Sequence, residues 1–224
     1  MDLPGLHIVT PTETKLIDAL AHMMGTSFLE EGWTMAWLSA LDKIGVNEKR
    51  KQEISQAIIR SDFAVGSQYK CVYTLPDLSA AVGGYLSSDL QGHTWHELED
   101  EAIAVMLNTL SEDERHALKE QSVQMQPVSD FSWMYRDSEN CNRDFIHFYA
   151  VGVDASKRGS GAFRRMFVPF LDYAKAHNLN CYLECYSEKT ESVYSHFGFE
   201  VVKRISDPVL NITERCMKKR PSIC

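Results

Sequence analysis

The sequence predicts an α/β (α+β) protein with a mixed, mostly antiparallel central sheet of about six or seven strands and helices on both faces. Residues 145–217 alternate strand-like and helical patterns in the order β-α-β-α-β-β. Residues 69–73 and 80–86 flank the turn signal Pro76-Asp77, which is typical of an antiparallel hairpin. The segment of about 89–144 between hairpin and final third is largely helical in pattern. It therefore predicts a helical insertion.

The N-terminal third supplies one strand and three helices. Residues 6–10 form the first strand candidate, which Pro11 ends. A helix capped by Thr12 or Thr14 follows to about residue 28. A second helix carries Trp33 and Trp37, four residues apart and thus on one face, where they either pack in the core or line a substrate pocket. A third helix is expected over 48–61.

The final third gives the clearest pattern. Strands are expected over 145–153, 181–186, 199–205 and 209–217, and helices over 161–177 and 190–197. Pro169 falls inside the first of these helices, where proline removes a hydrogen bond, so we expect a kink near Arg165 or a shorter helix. Within the insertion, Ser111 and Glu114 have the spacing of a capping box.

Composition limits the classes of protein that the chain can represent. It has 224 residues, 44% hydrophobic and 24% charged, which predicts one globular domain over 1–224. A formal net charge of -8 disfavours a nucleic-acid partner. The sequence shows no signal-peptide pattern, no long apolar run and no Cys-x-x-Cys pair. We therefore expect a cytoplasmic protein that has no membrane partner.

A glycine-rich basic loop joins the strand at 145–153 to the helix at 161–177. The helix start offers backbone N–H groups without internal partners, and the helix dipole adds positive potential there. Gly159 and Gly161 allow a ligand to approach the backbone closely, while Lys157 and Arg158 add charge. The segment therefore predicts an anion cradle, the alternative being a flexible connection between strand and helix.

This segment resembles the acetyl-CoA signature of the GNAT superfamily of N-acetyltransferases, Gln/Arg-x-x-Gly-x-Gly/Ala. Arg158 and Gly161 match its first two fixed positions, whereas Phe163 stands where Gly or Ala is usual. A second resemblance lies downstream, where Tyr194 precedes the Gly198-Phe199 pair. The two motifs together cover about residues 145–202, and the pattern most resembles small-molecule enzymes of the puromycin acetyltransferase type.

The resemblance implies a GNAT-like fold, with a cofactor-binding and catalytic core at about 145–217, and acetyl-CoA as the co-substrate. It implies that the strand end lies beside the pantetheine arm and that the loop and first helical turn hold the pyrophosphate. The residues expected to bind the cofactor are Val151, Gly152, Val153, Arg158, Gly159, Ser160, Gly161, Ala162 and Phe163.

Two residues are expected to carry the chemistry. Tyr194 resembles the family tyrosine near the thioester sulfur, where a phenol can protonate a leaving thiolate. Glu184 lies on the strand after the cofactor helix, and we expect it, as a solvated carboxylate, to take a proton from the amine. The alternatives are a packed tyrosine ring and an exposed strand residue. His147 and Tyr149 share one strand face, where either a substrate contact or a satisfied core position is expected.

Three functions remain open at this point. The leading one is acetyl transfer to a primary amine of a small molecule, by direct attack in a ternary complex. The alternatives are a non-catalytic acyl-CoA-binding module and a protein or peptide N-acetyltransferase. A homodimer is possible. The segment from His93 to Glu97 lacks the spacing of a metal site and is expected to begin a helix or lie in a loop, so no metal is predicted.

Overall fold

The computed structural model describes residues 1–141 and 143–221. Its strands are β1 (His7–Ile8), β2 (Val72–Thr74), β3 (Ala80–Leu86), β4 (Phe145–Val153), β5 (Asn180–Cys185), β6 (Glu200–Asp207) and β7 (Ile212–Lys219). They form one seven-stranded sheet in the order β1-β2-β3-β4-β5-β7-β6. Only β4 and β5 pair in parallel, and every other neighbouring pair is antiparallel. The predicted mixed, mostly antiparallel sheet is confirmed.

The helices that the structure describes cover both faces of this sheet. They are α1 (Thr14–Phe28), α2 (Gly32–Leu38), α3 (Glu48–Gln68), α4 (Trp95–Leu107), α5 (Glu112–Met125), α6 (Ala162–His177) and α7 (Glu188–His196). The apolar sides of α6 and α7 pack on one face, and those of α1, α3 and α4 pack on the other. No helix in the described ranges combines the length and the apolar character that crossing a membrane requires.

Local sequence signals fix several helix boundaries. Ser111 and Glu114 form the expected capping box at the start of α5. A second capping box, Thr94 with Glu97, begins α4 and accounts for the segment around His93 as a helix start. Helix α3 runs seven residues further than expected, because its buried face continues through Phe63 and Val65. Helix α6 is continuous through Pro169, so the expected shortening does not occur.

A bulge in β4 shapes the centre of the sheet. Gly83 pairs with Ala150 and Gly84 pairs with Phe148, which leaves Tyr149 as the extra residue. A Cβ atom at Gly83 would lie 2.3 Å from the Tyr149 ring. Glycine is therefore required opposite the bulge, and the Tyr149 ring stacks on Trp95 with centroids 3.7 Å apart.

Candidate active site

The glycine-rich loop places an array of unpartnered N–H groups at the start of α6. The first helical bond runs from the Arg165 N–H to the Gly161 carbonyl, at 3.0 Å. The N–H groups of Ala162, Phe163 and Arg164 therefore have no helical partner, as expected for a first turn. Gly159 and Gly161 both have φ of +81°, and a Cβ at either position would meet no atom within 4 Å. The backbone is thus open to a phosphate group.

The strand that leads into this loop has one free edge. β4 pairs with β5 only as far as Phe148 and Leu183, so beyond Phe148 it has β3 on one side and no strand on the other. The Val153 carbonyl points away from β3, because it accepts a hydrogen bond from the Ser27 hydroxyl at 3.2 Å. By the alternation of an antiparallel ladder, the backbone groups of Val151 face the same way. An extended chain can add to this edge as a strand does.

The remaining predicted cradle residues have identifiable neighbours. Gly152 lets α1 approach, since a Cβ there would lie 3.0 Å from the Met24 side chain. The Ser160 hydroxyl donates to the Lys157 carbonyl at 2.6 Å. Arg158 forms an exposed ion pair with Glu30, which precedes α2, at 2.8 Å. A guanidinium has five donors, so this pair leaves others for a phosphate.

The half-buried side chain of Phe163 packs between α6 and α7. Its ring lies 5.0 Å from that of Phe167, 5.3 Å from that of Phe197 and 5.9 Å from that of Tyr194, between centroids. The large residue at the usual Gly/Ala position therefore fills the interface between α6 and α7. Its backbone N–H stays at the free end of the helix.

Tyr194 lies on α7, buried between α6 and the sheet. Its ring contacts Phe163, Phe167 and Phe199. Its hydroxyl forms no hydrogen bond with the residues that the structure describes. Burial raises the pKa of the phenol well above its ordinary value, and the nearby Cys185 and Glu31 act in the same direction. The phenol is therefore protonated at neutral pH and can act as a donor.

Glu184 is buried, whereas the sequence led us to expect a solvated strand residue. Its side chain is 5% exposed. The Trp133 indole N–H donates to Oε1, and His147 Nε2 lies 2.9 Å from Oε2. The difference arises because Trp133 belongs to the insertion, which folds back over β5. Both carboxylate oxygens therefore have protein donors, and the side chain has little contact with bulk water.

His147 and Tyr149 share the face that the insertion covers. Both ring nitrogens of His147 have partners, Glu184 at Nε2 and the Tyr85 hydroxyl at Nδ1, 3.1 Å away. His147 therefore lies in the core with both ring nitrogens hydrogen-bonded, which is one of the two alternatives expected from the sequence. The Tyr149 hydroxyl, in contrast, is buried without a hydrogen-bond partner among the described residues.

Two further carboxylates near this site were not identified from the sequence. Glu214 on β7 shares a face with Glu184, because Glu184 pairs with Cys216 and Glu214 is two residues away. It accepts from the Asp130 N–H at 3.1 Å. Glu31 caps α2 by accepting from the Thr34 N–H at 3.0 Å. Burial raises the pKa of Glu31 and raises the pKa of Glu214 to about 7.

The Glu214 carboxyl is expected to make folding stability depend on pH. Its folded pKa of about 7 exceeds its ordinary value of 4.5, so the folded state holds the proton over a pH range in which the unfolded state has lost it. The stabilisation is fully present below about pH 4.5 and is lost as pH rises through about 7. It amounts to about 3 kcal/mol at 1.36 kcal/mol per unit. Urea unfolding at pH 5 and pH 8 measures it.

Two variants test that assignment. Glu214→Gln keeps the shape of the side chain and removes the proton, so the fall in unfolding free energy between pH 5 and pH 8 should shrink. Glu200→Gln changes a carboxylate that is 77% exposed and should leave the slope as it is in the wild type. An unchanged slope in Glu214→Gln would assign the pH dependence to other groups.

Comparison with known proteins gives structural similarity alone. No protein-family model matches the sequence, and no curated protein matches it either. Among solved structures, an N-acetyltransferase from Staphylococcus aureus superposes with a TM-score of 0.55 at 12% identity, covering 95% of this chain and 98% of its own. The histone acetyltransferase HPA2-related protein of Corynebacterium glutamicum gives 0.54 at 13%, covering 100% and 99%. Arylalkylamine N-acetyltransferase 2 of Aedes aegypti gives 0.53 at 13%, covering 97% and 98%.

Proposed function

We propose that this chain, whose fold is that of the GNAT acetyltransferases, transfers an acetyl group from acetyl-CoA to a primary amine of a small molecule. The observation that carries the proposal is the continuity of two anchoring surfaces. The free edge of β4 at Val151 and Val153 leads directly into the loop that exposes the amides of Ala162, Phe163 and Arg164. One surface suits an extended amide-containing arm, and the other suits a pyrophosphate.

The residues present fit acetyl-CoA as co-substrate. The space beside Gly159 and Gly161 is open, and the amides next to it have no other partner in the described part of the chain. Acetyl-CoA would supply the activated acetyl thioester. The chain's own residues hold it by β4 and the cradle, and orient it toward the buried phenol of Tyr194.

Proton transfers are assigned to Tyr194 and the buried carboxylates. The protonated phenol of Tyr194 donates to the departing sulfur, which needs a proton once the acetyl group has left. Glu184 takes the proton that the acceptor's nitrogen gives up. Glu31 and Glu214 lie at the same end of the sheet, since both act together with Glu184 on the pKa of Tyr186. Above about pH 7, where Glu214 is ionised, its negative charge attracts a cationic amine.

The insertion favours a small acceptor over a peptide. Its residues cover the face that carries the carboxylates: Trp133 bonds Glu184, the Asp130 N–H bonds Glu214, and Ser129 accepts from the Trp33 indole at 2.8 Å. An extended peptide needs an open groove, whereas a closed site suits a compact ligand. The similar structures include an arylalkylamine N-acetyltransferase, which is consistent with this reading. The puromycin-type subclass stays a prediction.

A binding titration followed by an acceptor screen tests the proposal. Calorimetry should detect acetyl-CoA binding that Arg158→Ala weakens about fivefold, as for the loss of one charge-assisted contact at an exposed site. Arg60→Ala is the matched control, because Arg60 also forms an exposed ion pair, with Asp18, and lies on α3. It should leave the affinity unchanged. Absence of binding to the wild type would overturn the proposal.

The acceptor screen separates the three functions. Small primary amines, a lysine-containing peptide and buffer alone are incubated with acetyl-CoA, and free thiol release is measured. Turnover with small amines supports the proposal. Turnover with the peptide alone assigns a protein acetyltransferase, and cofactor binding without turnover on any amine assigns a non-catalytic acyl-CoA-binding module.

A further inference from the structure

A continuous run of hydrogen bonds crosses the covered face of the sheet and ends at Glu184. It begins at the Trp95 N–H, which donates to the Tyr135 hydroxyl at 3.2 Å. The Tyr135 and Tyr85 hydroxyls are 3.1 Å apart, and Tyr85 lies 3.1 Å from His147 Nδ1. His147 Nε2 then reaches Glu184 at 2.9 Å. The run joins four elements, namely α4, the segment before β4, and strands β3 and β4, to a carboxylate on β5.

One direction of donation satisfies every partner in this run. The backbone N–H of Trp95 can only donate, so the Tyr135 oxygen accepts, and the Tyr135 hydroxyl proton is free to be donated to Tyr85. In this arrangement Tyr85 donates its own proton to His147 Nδ1. A neutral imidazole that accepts at Nδ1 carries its hydrogen at Nε2, and that hydrogen faces Glu184. The Trp133 indole N–H, which also can only donate, occupies the other carboxylate oxygen.

We infer that Tyr135, Tyr85 and His147 are positioning residues that hold the Glu184 carboxylate in place as the proton acceptor for the amine. The inference rests on the proposed function and deepens it. When an acceptor ammonium becomes an amine, one N–H bond breaks and its proton forms an O–H bond on Glu184, while the electron pair stays on nitrogen. The donor chain fixes where that carboxylate lies.

Burial explains why these polar side chains need their hydrogen-bond partners. Tyr85 and His147 are at most 1% exposed, and an unpaired polar group at such a position is costly. Several titratable groups lie close enough to Glu184 to interact with its charge, and any pH profile must allow for them. They are Tyr85 on β3, His147 on β4, Tyr186 after β5, Tyr194 on α7, and Glu214 and Cys216 on β7.

Nitrogen NMR of the histidine ring tests the direction of the chain without requiring activity. In the wild type, His147 should be the neutral tautomer with hydrogen at Nε2, and its signals are assigned by their loss in His147→Gln. Tyr85→Phe should move the Nδ1 signal toward that of a nitrogen without a hydrogen bond. Tyr182→Phe removes a buried hydroxyl from the same face that bonds Asp137 and Asn140 instead, and it should leave Nδ1 unchanged.

Steady-state kinetics with an amine that the protein acetylates then test the role of this run of hydrogen bonds. His147→Leu removes the donor to Glu184 and should lower kcat at least tenfold, as for a hydrogen bond to a charged group. It should also move the acid limb of the kcat profile to higher pH, because a carboxylate without this donor binds its proton more tightly. His147→Gln restores an N–H donor and should recover most of kcat and the wild-type limb. The pH profile of kcat in Glu214→Gln shows how much of the acid limb is due to titration of Glu214.

The outcomes separate this inference from the proposed function. The donor chain is overturned if the wild type carries its hydrogen at His147 Nδ1, or if Tyr85→Phe leaves the Nδ1 signal unchanged. Either result holds whether or not the protein acetylates an amine. An unshifted acid limb and unchanged kcat in a folded His147→Leu variant overturn its role in the reaction. A wild type that has the Nε2 hydrogen but acetylates no amine confirms the direction of the chain and overturns both the proposed function and the role assigned to Glu184.

Discussion

Replacement of Gly161 by valine is expected to weaken acetyl-CoA binding at least 100-fold, equivalent to about 2.7 kcal/mol. Gly161 has φ of +81° and is the residue from which α6 begins. A β-branched side chain is strongly disfavoured at that φ, so the loop would change conformation and turn the amides of the first helical turn away from one another. The new side chain would also occupy the open space beside the cradle. Calorimetric titration with acetyl-CoA measures the change.

Gly45 provides the matched control. It has φ of +74°, has open space around its would-be Cβ, and ends the short helical segment before α3. Gly45→Val should therefore cost similar stability, seen in urea unfolding, without changing the affinity for acetyl-CoA. Wild-type affinity in Gly161→Val would remove the cradle from the binding site. An equal loss of affinity in both variants would attribute the effect to general destabilisation.

The cofactor half of the site is predictable from sequence because it is local. The end of β4, the loop and the first turn of α6 are contiguous, so glycine spacing and a helix start are enough to expect free amides at Ala162 and Phe163. The succession of strands and helices along residues 145–217 is likewise predictable from the pattern of apolar residues. Helix α6 continues through Pro169, so of the two expected outcomes, a kink or a shorter helix, the shortening does not occur.

The proton-transfer half of the site is built from residues far apart in the sequence, so sequence patterns predict it only in part. Glu184 is buried by Trp133, which lies 51 residues earlier in the chain, and is bonded by His147 on a parallel neighbouring strand. Glu214 joins it only through the antiparallel pairing of β5 with β7. A single carboxylate in an alternating strand gives no sign of such partners. The one available signal was that Glu184 and His147 occupy neighbouring strands of a β-α-β unit.

The hydroxyl of Tyr194 is expected to matter for turnover and not for binding or folding. Tyr194→Phe should lower kcat about 100- to 1000-fold, within the range for loss of a general acid, because no other donor is assigned to the departing sulfur. The affinity for acetyl-CoA should stay within about twofold, since the ring keeps its contacts with Phe163, Phe167 and Phe199. The unfolding free energy should hardly change, because the hydroxyl forms no hydrogen bond among the described residues.

Tyr73→Phe is the control for this test, because Tyr73 is a buried tyrosine of the same apolar cluster whose hydroxyl donates to the Met1 carbonyl at 3.4 Å. It should retain wild-type kcat. Steady-state rates with saturating amine, together with single-turnover rates, show whether the loss in Tyr194→Phe lies in the acetyl transfer step. A Tyr194→Phe variant with wild-type kcat would mean that the leaving sulfur takes its proton from water or departs as the thiolate. Tyr194 would then serve only to pack α7 against α6.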